Sequence, residues 1–196
     1  MDAPLPYKDK HAELVERCKI GDRKAQYEIY KLYAKAMLNV AMRIVNNVAE
    51  AEDVLQESFL DAFLKINDFR QGATFGAWLK QIVINRALNQ LRQRKVQFDD
   101  IEDIKYKTEY QNDGYNDGLI EEQNPDNDDQ DYEVKRVQAG IMALPTGYRT
   151  VLSLYLIEGY DHEEIAEILG VAESTTRTQY IRAKKKLLEI LQQKKS

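Results

Sequence analysis

Between His11 and Lys95 apolar residues return every three or four positions, the period of one helix face. Ala25, Ile29, Leu32 and Tyr33 open such a face, and Met37, Val40, Ala41 and Ile44 continue it. Asn46-Asn47 breaks the run. Ala51, Val54, Leu55, Phe59, Ala62, Phe63 and Ile66 then make a second amphipathic stretch. A turn holding Gly72 and Gly76 follows, and Thr74 is placed to cap a third long helix reaching Arg94. From Phe98 to Asp131 the periodicity fails. Gly114, Gly118 and Pro125 interrupt an acidic stretch with too little apolar surface to offset the entropy of ordering, so it reads as a tether holding at most a short helix. Helical periodicity returns from Tyr132 to Leu191. The pattern predicts an all-α chain: two small helical domains, 10–97 and 132–192, joined by a flexible acidic linker, 98–131.

Composition agrees and narrows the chemistry. The 196 residues are 43% hydrophobic and 31% charged, with 9 Gly and 4 Pro, as suits a helical globular chain with a core. One cysteine, Cys18, excludes an internal disulfide framework and a Cys-rich zinc site, and on a helix it reads as a packed residue rather than a redox sensor. Two histidines, His11 and His162, leave little for metal or acid–base chemistry, so neither cofactor nor metal is expected. The opening Met1-Asp2-Ala3-Pro4-Leu5-Pro6-Tyr7 has no basic patch leading into an apolar run, and no later stretch nears the roughly 20 apolar residues that span a bilayer. A cytoplasmic protein is the expectation.

The net charge of −5 conceals segregation. Asp99 to Glu133 holds 14 acidic residues against Lys105 and Lys107, a local charge of −12, which leaves the rest of the chain at +7. A pI of about 5.2 therefore says little against nucleic acid as a partner.

The sharpest local signal lies between Tyr160 and Leu188. Ile165, Ala166, Ile168 and Leu169 make a short apolar face ended by Gly170, and Val171 can pack beneath that turn. Ser174 then stands as the N-cap of a second helix. Helix, short Gly turn and second helix match a helix-turn-helix, whose second helix can enter the major groove. Arg177, Thr178, Ile181 and Arg182 share one flank, with Ser174 and Lys185 extending it. Arg pairs bidentately with guanine, while Thr and Ile touch thymine methyls. Ser174 to Ser196 carries seven basic residues and one acidic, Glu189, as phosphate contact requires. An ordinary helical hairpin with solvated lysines is the bland alternative.

Phe69 to Lys95 contains six basic residues and no acidic one, with Phe69, Phe75 and Trp78 among them. On a helical wheel Trp78, Asn85 and Asn89 fall together, and Ile84, Ala87, Leu88 and Leu91 take the other side. Rings, amides and cations suit unpaired bases, which stack and present hydrogen-bonding edges. Taken alone, though, Trp78 reads as core before base contact. The preceding stretch is acidic: Glu50, Glu52, Asp53, Glu57 and Asp61 decorate a helix whose other side is assigned Val54, Leu55, Leu60 and Phe63. Such a face meets either solvent or a basic protein.

Together these residues resemble a family. Ala51-Glu52-Asp53-Val54-Leu55-Gln56-Glu57-Ser58-Phe59, then Phe75-Gly76-Ala77-Trp78-Leu79, Asn85-Arg86-Ala87 and Leu91-Arg92, resemble region 2 of bacterial RNA polymerase sigma factors. Leu144-Pro145, Tyr148-Arg149 and the stretch from Ile165 to Leu187 resemble region 4. With these two regions alone, the chain is similar to the extracytoplasmic-function (ECF) group. The resemblance implies core polymerase and promoter DNA as partners, with no small-molecule substrate. It implies that Glu52, Asp53, Gln56 and Glu57 dock on the clamp helices of the largest polymerase subunit. It assigns Arg70, Phe75, Trp78, Lys80, Asn85, Arg86, Asn89 and Arg92 to a melted −10 element, and Ser174, Arg177, Thr178, Ile181, Arg182 and Lys185 to a duplex −35 element. An anti-sigma protein covering the polymerase-binding surfaces, often a membrane-anchored one, joins the implied partners. The linker would be threaded toward the active centre, and in the free protein its charge could screen the basic faces. The chain departs from the common pattern at Asn89, where Asp is frequent, at Thr176, where Val is usual, and at Tyr180, which replaces a common Leu.

Two other readings compete. A stand-alone helix-turn-helix regulator explains the C-terminal half but gives the acidic helix no task. An independent enzyme lacks its parts. His162-Glu163-Glu164 begins like a zinc-protease motif, but Ala166 follows and no second His does. Asp126, Asp128 and Gln130 echo a calcium loop, yet Asp131 stands where the turn needs Gly.

Overall fold

The computed structural model describes residues 10–70, 74–94 and 128–193. Among them are eight α-helices and no strand: α1 (Ala12–Lys19), α2 (Arg23–Val45), α3 (Val48–Leu64), α4 (Phe75–Gln93), α5 (Asp128–Met142), α6 (Thr146–Leu156), α7 (His162–Leu169) and α8 (Glu173–Gln193), with a 3-10 turn at Ile66–Asp68. The linker reading over 98–127, like the Gly72 turn and Lys95, lies outside the described residues. Its last positions are corrected: α5 begins at Asp128, so the second helical unit starts before Tyr132. Acidic residues favour a helix start, where the backbone dipole is positive, so an acidic run can be linker and helix N-terminus at once.

Polar side chains set the boundaries. Asp22 accepts from the amides of Lys24 (2.8 Å) and Ala25 (3.3 Å) to start α2, and Arg17 of α1 grips the same carboxylate through Nε and Nη2. The Arg17 hydrogen bond and the Ala25 amide hold that carboxyl below its usual range. Asn46 takes the left-handed conformation that stops α2, and Asn47 caps α3 by accepting from the Glu50 amide at 3.0 Å. One Asn pair thus ends one helix and begins the next. Thr74 caps α4 through the Ala77 amide, as the sequence predicts. Asp161 and Glu164 form a reciprocal capping box at α7, whose end is Gly170 at φ +73°.

In the N-terminal unit α2, α3 and α4 pack mutually around Ile29, Val40, Ile44, Val54, Phe59, Leu79, Val83, Ile84, Leu88 and Leu91. Gly76 permits the tightest approach, since a Cβ there would lie 2.8 Å from the Tyr33 ring. Cys18 is buried in the same core, which pushes its thiol up to about 11, so it is a packed apolar group. Two residues read as apolar-face members are corrected. Leu32 is 50% exposed and Leu60 63% exposed. At about 100° per residue, Leu32 sits about 110° from the middle of the buried stripe of α2, and Leu60 lies nearly opposite that of α3.

The C-terminal unit closes α5, α6 and α8 around Ile141, Leu144, Leu152, Ala183 and Leu187. The two units are not separate cores. Val151, Leu154, Ile165 and Leu169 join the N-terminal cluster, with α2 packed on α6. At this seam Arg149, only 2% exposed, donates from Nε to Arg43 O (2.9 Å), from Nη2 to Ile44 O (3.3 Å) and from Nη1 to Leu144 O (2.8 Å). It therefore caps the C-terminus of α2, where carbonyls lack helical partners and the dipole favours a cation. Burial, then the charge of Arg94, push its pKa down to about 10, and it stays ionised at neutral pH.

Candidate nucleic-acid interface

The α8 candidates form one surface. Ser174, Arg177, Thr178, Ile181, Arg182 and Lys185 are all exposed and follow helical spacing, while Thr176, Gln179, Ala183 and Leu187 are buried on the other side. One detail is corrected: α8 starts at Glu173, so Ser174 lies within its first turn and is not its N-cap. The first helical bonds run instead to Ala172 O, from the amides of Thr175 and Thr176. Ser174 is thereby left on the outer face. Thr178, itself exposed, donates from Oγ1 back to Ser174 O at 2.9 Å. Arg177 is held by Glu173, with Nε 3.0 Å from Oε1. An exposed pair of this kind is weak and can exchange for a base or phosphate.

The chain's departures at Thr176 and Tyr180 have structural accounts. Thr176 is buried, and Oγ1 donates within reach of His162 O (3.1 Å) and Glu173 O (2.9 Å), tying the starts of α7 and α8 together. Tyr180 packs on Tyr155 (4.6 Å between ring centroids) and edges His162 (5.5 Å), which itself stacks on Tyr155 at 4.6 Å. This three-ring stack joins α6, α7 and α8. Burial and the charge of Arg177 lower the His162 pKa.

The α4 candidates do not form one surface. Trp78, Asn85, Asn89 and Arg92 share a face: Asn85, Asn89 and Arg92 are exposed, and Trp78 is half-buried against Phe69 and Phe75. Arg92 Nη1 donates to Asn89 Oδ1 at 2.9 Å. Arg70 is exposed ahead of the helix. Phe75 is corrected outright as a base contact, because at 0% exposure it has no surface to offer. It is the support on which Phe69, Trp78 and Tyr33 rest, with centroids 5.6–5.7 Å away. Arg86 points at α3, where it pairs with Glu57 (3.1 Å) and Asp61. Lys80 points at the C-terminal unit, 3.3 Å from Glu158 Oε2.

On α3, Glu52, Asp53, Gln56 and Glu57 are exposed together. Leu60 and Leu64, 81% exposed, continue the Asp53–Glu57 stripe. The face is therefore acidic at one end and apolar at the other, the mixture found at protein interfaces rather than on a solvated helix. Counting wheel angles from Asp53 would have found these two leucines.

An acidic-and-apolar face, an amide-and-aromatic face and a basic helix-turn-helix face thus occur on one chain. Residues 29–96 match the family model described as sigma-70 region 2, and residues 135–187 match that described as sigma-70, region 4. The chain belongs to the sigma-70 family. It is 31% identical over 189 residues to the RNA polymerase sigma-H factor of Pseudomonas aeruginosa, covering 94% of this chain and 95% of that one. It is 29% identical over 177 residues to the ECF RNA polymerase sigma factor SigW of Bacillus subtilis (88% and 92%), and 31% identical over 174 residues to the ECF sigma-E factor of Haemophilus influenzae (87% and 89%). Like these relatives the chain is an ECF sigma factor, which makes it a transcription initiation factor and not a classical enzyme. In fold it is similar to CnrH, solved in complex with the cytosolic domain of CnrY (TM-score 0.53, 22% identity, 94% of this chain and 98% of that one). It is also similar to the sigma factor RpoE solved with the anti-sigma factor NepR from Bartonella quintana (TM-score 0.52, 22% identity, 85% and 96%). Among the described residues no helix is long and apolar enough to cross a membrane.

Proposed function

We propose that this sigma factor is a dissociable specificity subunit whose three faces divide promoter recognition. The α3 face, Glu52, Asp53, Gln56 and Glu57 with Leu60 and Leu64 added, docks on core RNA polymerase. Trp78, Asn85, Asn89 and Arg92 of α4, with Arg70 before it, hold the melted −10 strand by stacking and by amide and cationic contacts. Ser174, Arg177, Thr178, Ile181, Arg182 and Lys185 read the −35 element as duplex. Domains 10–97 and 132–192 are each weak readers. Mounted together on polymerase they act at high effective concentration, so both half-elements count. The protein supplies no reaction chemistry of its own and works in the cytoplasm, where an anti-sigma protein competes for the α3 face.

The observation that carries this reading is the acidic-apolar α3 face beside two nucleic-acid faces. A stand-alone regulator needs α8 but has no use for a surface that repels DNA. Run-off transcription with core polymerase, on genomic fragments from the host, is the test. Start-site-specific transcripts that need the protein support it. Specific duplex binding that never depends on core, with no core binding, would replace it with the stand-alone regulator.

A further inference from the structure

At the seam between the two units a single carboxylate occupies a cationic site. Glu158, in the turn between α6 and α7, has a side chain 7% exposed and is paired with both Arg43 of α2 and Lys80 of α4. Lys80 Nζ also donates to Glu158 O at 3.2 Å and lies 5.5 Å from the centroid of the Tyr160 ring. Arg43 Nε is buried with no acceptor, so the guanidinium is only partly satisfied here. Among the described residues, the side chains of Arg43 and Lys80 find polar partners only across the seam; no carboxylate of their own unit pairs with either. Two adjacent cations without a local counter-charge are the makings of an anion site. A glutamate whose two oxygens each meet one cation stands where two oxygens of one phosphate would sit.

The seam covers more of the α4 surface than this pair. Tyr160 Oη donates to Gln81 Oε1 at 3.3 Å, and Arg92 Nη2 donates to Ile168 O at 3.3 Å. Both α4 residues belong to the exposed side that carries Asn85 and Asn89. Lys80 lies about 140° around α4 from Asn85, so a strand held on the Asn85–Asn89 side must turn across the helix to reach it and Arg43.

We propose that Arg43 and Lys80 form a binding site for a DNA backbone phosphate, which Glu158 occupies as a carboxylate mimic while the two units are closed. Arg43 is thereby added to the DNA-binding residues, and Glu158 becomes a built-in competitor that keeps the free protein from binding DNA through its N-terminal unit. Separating the units transfers both cations from the carboxylate to the phosphate of the −10 strand. The inference rests on the proposed placement of that strand on α4. It needs no contribution from the linker.

The test uses the full chain without polymerase and a fluorescein-labelled single-stranded 20-mer of mixed sequence, followed by anisotropy across a range of NaCl concentrations. Glu158→Gln keeps the size of the side chain and removes its charge. It is expected to bind about fivefold more tightly than the unsubstituted chain near 50 mM salt, with a log K against log salt slope steeper by about 0.7, the increment for one phosphate on single-stranded DNA. Adding Lys80→Gln to Glu158→Gln should remove about half of the added slope, and adding Arg43→Gln as well should remove the rest. Far-UV circular dichroism confirms that each variant is folded, and the double variant alone suffices if the triple does not fold. Unchanged affinity and slope in Glu158→Gln would overturn the proposal, as would a gain that Lys80→Gln leaves undiminished. Core-polymerase binding by the unsubstituted chain, measured in parallel, decides the sigma-factor reading separately.

Discussion

Helices α8 and α4 are both long, both basic, and both carry candidate DNA contacts, yet they treat those candidates differently. On α8 all six lie on one exposed stripe, with the buried residues on the opposite side. On α4 the eight candidates that include Arg70 scatter. Four share an exposed or half-exposed face, Phe75 is core, Arg86 fastens α4 to α3, and Lys80 faces the other unit. The difference follows from how much of each helix's circumference its neighbours cover. One side of α8 packs on its own unit and the other is open. Helix α4 packs on α2, on α3 and, through the seam, on the loop after α6. A crowded helix uses cations as structural fasteners as well as for ligands, and charge along the sequence does not separate the two uses.

The largest expected effect tests whether Phe75 is support or contact. Phe75→Ala should cost about 4 kcal/mol of stability through the lost ring and the cavity left behind. Asn85→Ala, exposed on the shared face, should leave stability within about 0.5 kcal/mol while weakening binding to a melted −10 strand. Urea denaturation of both variants gives the answer. A stable Phe75→Ala that loses only DNA binding would dissolve the distinction between the two helices. Next in size comes α3, which resembles α8 in having its candidates open to solvent. Reversing charge with Glu52→Lys and Asp53→Lys should weaken core-polymerase binding by about 100-fold, since like charges brought together at an interface cost several kcal/mol. Unchanged core affinity in a pull-down or titration would remove that face from the docking surface.

Legibility in the sequence follows the same division. Helix boundaries set by side-chain caps were readable: Thr74, the Asn46-Asn47 stop and the Gly170 turn all sit where periodicity and capping chemistry place them. The α8 stripe was readable because one turn, one spacing and one charge sign agree. Leu60 was misread because a leucine beside Phe59 and Phe63 looks like core, although its wheel angle joins it to Asp53 and Glu57. Ser174 was misread because a good capping residue two positions late still scores as a cap. The seam was not readable at all. Arg149 and Glu158 lie far along the chain from Arg43 and Lys80, and nothing in the sequence joins the two pairs until the packing of α2 on α6 brings them together. Burial of Arg149 depends on carbonyls of Arg43 and Ile44, and no local pattern announces a partner more than a hundred residues away.

Within α8 itself the contacts should sort by chemistry. Arg177→Ala, if that side chain pairs with a guanine, should cost about 2 kcal/mol on the cognate −35 duplex and relax selectivity at one position. Lys185→Gln should weaken all duplexes alike and reduce the salt slope by about 1. Competition binding against single-base variants of the −35 element distinguishes them. Equal losses on every sequence for both variants would make Arg177 a phosphate contact only.

The smallest effect probes what stands behind the α8 face. His162 is stacked on Tyr155 and edged by Tyr180, and burial with the Arg177 charge lowers its pKa from the ordinary 6.5. A lowered pKa means the folded state resists protonation that the unfolded chain accepts. Stability is therefore unaffected well above pH 6.5 and declines as pH falls from the unfolded value through the folded one, below which the penalty is complete. His162→Phe keeps a flat ring in the stack and removes the titration. Thermal melts between about pH 7.5 and pH 5.5 should show a larger fall in midpoint for the unsubstituted chain than for His162→Phe. Parallel curves would mean that the stack tolerates an imidazolium, and that the ring behind α8 holds the helix by packing alone.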